Sequence, residues 1–277
     1  MNEQASRLIQ LNKLAEREKY SSSSKIISIC SGKGGTGKTF FSANFAYQLS
    51  KLNKKVLLAD LDLNFSNLNI LLNQTSTKTI SNFFEQINSL EEIIFNCSSN
   101  LDLIFGDSGR DDYPRVSREV LDYFFISLAK IQKRYDYVIL DSSSGADELT
   151  LYQLSKSDYN IIVTSPEPTA VMDAYVVIKL LAASAMEAER FIVINKCSNS
   201  DEGAGAFENL STAVKHFLNE RVELLGTISF DSAVHKSIVN QELLLNFDPH
   251  SIAASEIEKL LMRFNKFTQL ANNNQPK

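Results

Sequence analysis

Cysteine is scarce in this chain. Cys30, Cys97 and Cys197 lie far apart and without C-x-x-C spacing, which excludes a disulfide framework and a thiolate metal knuckle and predicts reduced, mostly buried thiols. Although 44% of the residues are hydrophobic, no apolar run is long enough for a helix that crosses a bilayer. No charged-then-apolar leader precedes the first strand pattern, so a cytoplasmic protein is expected. Positive charge is also in deficit: 28 Lys and Arg against 33 Asp and Glu leave a formal charge of −5. That balance offers no general electrostatic grip on nucleic acid. What remains is 277 residues, enough for one large core, and a single α/β domain is a better expectation than two.

The stretch that organises the chain is SGKGGTGKT, Ser31 to Thr39. Before it, Lys25 to Cys30 reads as a buried strand; after it, Phe40 to Leu52 carries apolar residues at helical spacing. Strand, glycine loop and helix together are the context of a phosphate-binding loop, and Gly32 through Gly37, Lys38 and Thr39 match G-x-x-x-x-G-K-[ST]. Glycines Gly34, Gly35 and Gly37, with Thr36 among them, let backbone N–H groups wrap a β-phosphate, and the helix N-terminus adds its dipole. Lys38 reaches β/γ oxygens, and the Thr39 hydroxyl suits Mg²⁺.

Downstream, short β-rich runs alternate with longer helical patterns. Runs at Val56 to Ala59, Leu101 to Phe105, Tyr137 to Leu140, Asn160 to Thr164, Arg190 to Ile194 and Glu223 to Ile228 predict a mostly parallel twisted sheet with helices on both faces. In such sheets ligands sit beyond the carboxyl ends of the strands. Two of these strands run into carboxylates there: Asp60-Leu61-Asp62 follows the second, and Asp141 follows Tyr137-Val138-Ile139-Leu140 in the form of a Walker B segment that holds Mg²⁺ through water. Ser142-Ser143-Ser144-Gly145 comes next.

These motifs resemble those of the deviant Walker A ATPases, the MinD/ParA group, in which an extra lysine stands early in the loop. Here that residue is Lys33, and the resemblance implies that it reaches in trans to the phosphates of a partner copy in an ATP-sandwiched homodimer. It further implies that Asp62 orients the attacking water, that Asp60 supports the Mg²⁺ shell, that the Gly145 N–H approaches the γ-phosphate, and that the Asn195 amide reads adenine. The family's proline after the last strand is replaced within Ile228-Ser229-Phe230-Asp231.

Thr164-Ser165-Pro166-Glu167-Pro168-Thr169, with Asp173-Ala174-Tyr175 and Lys179, is similar to the corresponding stretch of the flagellar FlhG (FleN, YlxH) branch. The amino-terminal residues Glu3 to Ile9, with Gln4, Ala5 and Leu8, resemble the short helix by which that branch activates the GTPase FlhF. Residues 1–24 are therefore expected to be a partner-binding helix and serine-rich linker, residues 25–250 the ATPase domain, and residues 251–277 a closing helix and polar tail. In that last helix Ala253, Ile257, Leu260, Leu261, Phe264 and Phe267 share one face opposite Lys259, Arg263 and Lys266. The pattern suits a core helix and equally a peripheral membrane helix.

The resemblance implies a slow, Mg²⁺-dependent ATPase that dimerises on ATP and controls flagellar number or placement, with FlhF and flagellar C-ring or regulatory proteins as partners and no specific nucleic acid. A ParA-like DNA-segregation or positioning ATPase is the alternative. An iron-protein reductase would need interfacial cysteine pairs, and a bacterial tyrosine kinase would need a tyrosine-rich tail, whereas Tyr175 is the last tyrosine.

Overall fold

The computed structural model describes residues 24–62, 66–107, 116–184 and 188–273. The amino-terminal helix expectation, with Gln4, Ala5 and Leu8, lies outside the described residues, as does the end of the polar tail. An eight-stranded sheet runs in the order β3-β4-β2-β5-β1-β6-β7-β8. Its strands are β1 (Lys25–Ser31), β2 (Val56–Asp60), β3 (Phe95–Ser98), β4 (Leu101–Ile104), β5 (Tyr137–Ser144), β6 (Tyr159–Thr164), β7 (Glu189–Cys197) and β8 (Glu223–Ser229). Every pairing is parallel except the β3–β4 hairpin at one edge. The mostly parallel, helix-covered sheet expected from the alternation is what forms.

The central strands are apolar on both faces because both faces are covered. On one side lie α1 (Lys38–Lys51) and α10 (Ile252–Asn273), with two shorter helices, α8 (Ser232–Val239) and α9 (Leu244–Phe247). The other side is covered near β2 and β5 by α3 (Ile80–Phe84) and α4 (Arg118–Gln132), and near β6 and β7 by α6 (Pro168–Ala183) and α7 (Ser200–Leu218). Two further helices, α2 (Leu68–Leu71) and α5 (Glu148–Ser155), follow the carboxyl ends of β2 and β5.

The amphipathic face of α10 is committed to the core. Ala253, Ala254, Ile257, Leu260, Leu261 and Phe264 are all buried, and the Phe264 ring meets Phe45, Tyr159 and Phe191 edge-on at 5.5, 5.3 and 5.7 Å. Such aromatic contacts add to the stabilisation from burial alone. Of the two roles the pattern allows, this face closes the ATPase core; laying it on a membrane would first require pulling Phe264 from its cage. Among the described residues no helix is long and apolar enough to cross a membrane.

β3 was not legible beforehand. It contributes four residues, Asn96, Cys97 and Ser98 of which are exposed, so neither length nor alternation marks it as a strand. The three thiols are free, with Cys30 and Cys197 buried and Cys97 exposed. Burial pushes the Cys30 thiol up to about 12 and the Cys197 thiol up to about 11, which leaves both protonated and inert.

Candidate active site

β1 delivers the chain into the loop at the middle of the sheet. Gly37 stands immediately before α1 in the left-handed region, with φ 90°, where a side chain is strained. A Cβ there would also come within 2.3 Å of the Asn195 Nδ2. At the other end of the loop, a Cβ on Gly32 would strike the Asp173 backbone at 2.4 Å. Both glycines are thus required by close approach, the second because α6 packs directly against the loop.

Lys38 opens α1 and turns inward. Its Nζ lies 2.8 Å from Asp141 Oδ1 with only 8% of the side chain exposed. Burial works against the ammonium, yet the carboxylates of Asp141 and Asp60 outweigh it and hold the Lys38 pKa above the ordinary lysine value. The two carboxylates are neighbours because β2 and β5 pair in register, Asp60 opposite Asp141. Ser42 Oγ also donates to Asp141 Oδ1, at 2.8 Å.

Asp60 is fully buried. Its Oδ2 accepts from Ser66 Oγ at 2.6 Å and its Oδ1 from the Asp62 N–H at 3.0 Å. Burial first, and the adjacent Asp141 second, push its pKa up to about 7 against the opposing pull of Lys38. A carboxyl whose folded pKa is raised binds more protons in the folded than in the unfolded chain, so its contribution to stability is full in acid and is lost as pH rises through about 7. The ligand-free protein is therefore expected to lose Tm relative to its Asp60→Asn variant as pH rises from about 4 to about 7, with little further loss above that, as followed by thermal denaturation of both proteins. Parallel pH profiles would contradict this.

The site tests well for a triphosphate with magnesium. Thr36 Oγ1 and Asp141 Oδ2 are buried without a hydrogen-bond partner, which is costly unless a ligand completes them. Thr39, Asp60 and Asp141 form a hard oxygen donor set with few protein groups, as Mg²⁺ prefers when it keeps several waters and takes phosphate oxygens. Gly34, Gly35, Thr36, Gly37 and Thr39 sit where the motif placed them, in the loop and on the first turn of α1.

Three of the expected site residues have partners within the chain. Lys33, expected to act in trans, is held within its own chain: its Nζ lies 3.1 Å from Glu167 Oε2 and 3.2 Å from Thr169 Oγ1. The pair is solvent-exposed and so weakly held. The Gly145 N–H, expected to approach the γ-phosphate, donates to the Ser31 carbonyl at 2.8 Å, because β5 continues to Ser144 in register with Ser31. Asn195, expected to read adenine, supports the loop itself: Nδ2 donates to the Thr36 carbonyl at 2.7 Å and Oδ1 accepts from the Lys196 N–H at 2.9 Å.

Two participants escaped the sequence. Lys196, in the left-handed region at φ 62°, donates from Nζ to the Gly35 carbonyl at 2.6 Å, so Asn195 and Lys196 together strap the loop from β7. Ser144 Oγ stands 3.7 Å from where a Gly34 Cβ would be. Nothing in the Ser142-Ser143-Ser144 run singles out Ser144, which the β1–β5 register sets opposite Ser31.

Residues 24–194 match the AAA domain family. Over 265 residues the chain is 32% identical to the flagellum site-determining protein YlxH of Helicobacter pylori, covering 94% of this chain and 89% of that protein. It is 25% identical over 248 residues to the antiactivator FleN of Pseudomonas aeruginosa, covering 90% and 89%. In fold it is similar to the septum site-determining protein MinD of Pyrococcus horikoshii complexed with Mg-ADP, with a TM-score of 0.73, 23% identity and coverage of 89% and 98%.

Proposed function

Because the chain belongs to the AAA domain family and, within it, to the MinD/ParA-type P-loop ATPases, we propose that it is an ATP-gated dimerisation switch that sets flagellar number or placement. The flagellar assignment is carried by one observation, the 32% identity to YlxH across 94% of this chain. The catalytic half of the reading is supported by the convergence of Lys38, Asp60 and Asp141 beneath a glycine loop.

In this reading Mg²⁺, when bound, neutralises phosphate charge at Thr39, Asp60 and Asp141. Lys38 leaves Asp141 for the β/γ oxygens, which exchanges one buried ion pair for another without exposing the ammonium. The loop N–H groups of Gly34, Gly35, Thr36 and Gly37 hold the phosphates, and Asp62 accepts a hydrogen bond from the attacking water. Lys33 gives up Glu167 and reaches the second copy's phosphates, so that dimerisation and completion of the site are one event. Gly145 senses the terminal phosphate if its N–H exchanges the Ser31 carbonyl for ligand, and Asn195 orients the base side of the loop through Thr36. Hydrolysis removes the bridging charge and lets the copies part.

Residues 1–24, through Gln4, Ala5 and Leu8, would present the partner-binding helix to FlhF, with C-ring or regulatory proteins engaging the ATP-bound dimer in the cytoplasm at the inner face of the membrane. The test is light scattering followed by a GTPase assay with FlhF. Mass should double with a nonhydrolysable ATP analogue and not with ADP, and FlhF turnover should rise with the full chain but not after deletion of residues 1–19. An unchanged mass with both nucleotides would reject the switch, and stimulation that survives the deletion would reject the role of the helix.

A further inference from the structure

Ser66 lies outside every motif of the site, between Asp62 and α2, yet it is buried against the site's metal-side carboxylates. Its Oγ donates to Asp60 Oδ2 at 2.6 Å. Gly106, just past the end of β4, makes the room: a Cβ there would stand 2.8 Å from the Ser66 Cβ and 2.9 Å from its Oγ. Any larger residue at 106 would push the hydroxyl off Asp60.

Both oxygens of Asp60 are thus taken by the segment that follows β2. Oδ1 accepts from the Asp62 N–H at 3.0 Å, while the Leu68 N–H reaches Oδ2 only at 3.4 Å, beyond the usual range for an N–H donor. Among the described residues Ser66 supplies the one side-chain hydrogen bond to Oδ2. Opposite Asp60 in the β2–β5 register, Asp141 has Oδ1 held by Lys38 and Ser42 and Oδ2 buried without a partner. The pair is therefore oriented from within the chain and leaves an oxygen for a ligand.

We infer that Ser66 is a positioning residue for the Mg²⁺ shell, acting through Asp60. The inference rests on the reading of the loop as an Mg-ATP site and adds to it a residue from outside the loop and the strands. A carboxylate turns easily about its last bond, so a donor on each oxygen is what gives Asp60 a single orientation. The Asp62 N–H sits on the same carboxylate, so the hydroxyl also keeps the water-orienting aspartate in step with the metal side. Loss of such an outer hydrogen bond to a metal-binding carboxylate typically costs 10- to 100-fold in metal affinity.

Two titrations of the full chain test this. Mn²⁺, as the probe for the Mg²⁺ position, is titrated in saturating ADP and read by the paramagnetic resonance of the free ion; ADP alone is titrated calorimetrically in EDTA. Ser66→Ala is expected to weaken Mn²⁺ by about tenfold and to leave metal-free ADP affinity unchanged. Ser66→Cys fills the same space beside Gly106 with a weaker donor, should lose Mn²⁺ affinity as well, and supplies the measurement if the alanine variant does not fold. Wild-type Mn²⁺ affinity in the folded variant would overturn the inference and leave the ATP site standing. An equal loss of metal-free ADP affinity would overturn it too, since Ser66 would then be a prop of the whole pocket. A wild-type chain that binds neither ADP nor Mn²⁺ would overturn the ATP reading and the role of Ser66 together.

Discussion

Replacing Lys38 with alanine is expected to lower affinity for Mg-ATP by about 100-fold or more, the effect of deleting one partner from a buried charge contact. The distances explain the size. Lys38 Nζ lies 2.8 Å from Asp141, with Asp60 the next carboxylate to hold it charged, and the triphosphate would replace one anion by another at that ammonium. Without the lysine, two buried carboxylates face each other with no cation between them. Breaking a buried pair in this way costs about 3 kcal/mol or more, but Asp60, whose pKa already stands at about 7, takes up a proton and offsets part of it. The variant is therefore expected to remain folded below neutral pH, where titration calorimetry should find that loss of about 100-fold or more in ATP affinity. Near-wild-type affinity in a folded Lys38→Ala protein would remove the ammonium from the phosphate site.

Asp62→Ala is expected to separate binding from turnover. Its backbone N–H donates to Asp60 Oδ1 at 3.0 Å, and alanine keeps that bond, so the metal-side carboxylate stays oriented. Losing the carboxylate that accepts from the attacking water should slow hydrolysis by about 100-fold or more, the usual worth of a positioned general base. The consequence for assembly is larger than for chemistry. A switch that cannot cleave ATP cannot dismantle its dimer, so light scattering should find a long-lived dimer at saturating Mg-ATP. A monomeric Asp62→Ala protein under those conditions would contradict the switch; a dimer that still hydrolyses at the wild-type rate would assign the water to another residue.

Ion pairs and hydrogen bonds between distant segments account for what sequence reading missed. Lys33 stood out as an extra cation in the loop, but nothing local to it indicates Glu167 and Thr169, which α6 brings to its Nζ. The contact gives the trans role a prior condition: the lysine must leave its own chain before it can serve another. Gly145 was legible as a flexible position after Asp141, while the partner of its N–H depended on how far β5 follows β1. For Asn195, an amide at a strand end is equally suited to a base or to a carbonyl, and the carbonyl of Thr36 is the one within reach. The face of α10 had the same ambiguity on a larger scale, since a core and a bilayer reward the same apolar stripe. Phe264 in its cage of Phe45, Tyr159 and Phe191 decides it.

The strand, glycine loop and helix around Lys38, the alternation that makes a parallel sheet, and the carboxylates that end two of its strands were determined by the sequence alone. Each is written in a few contiguous residues, where backbone freedom, side-chain periodicity and helix dipoles act over one or two turns. The tertiary structure alone decided that Asp60 stands opposite Asp141, that Lys33 rests on Glu167, that Asn195 and Lys196 strap the loop, and that Ser66 closes on Asp60. Those relations depend on which strands neighbour one another and in what register, and that choice is made by burying apolar faces across the whole sheet rather than by any one segment.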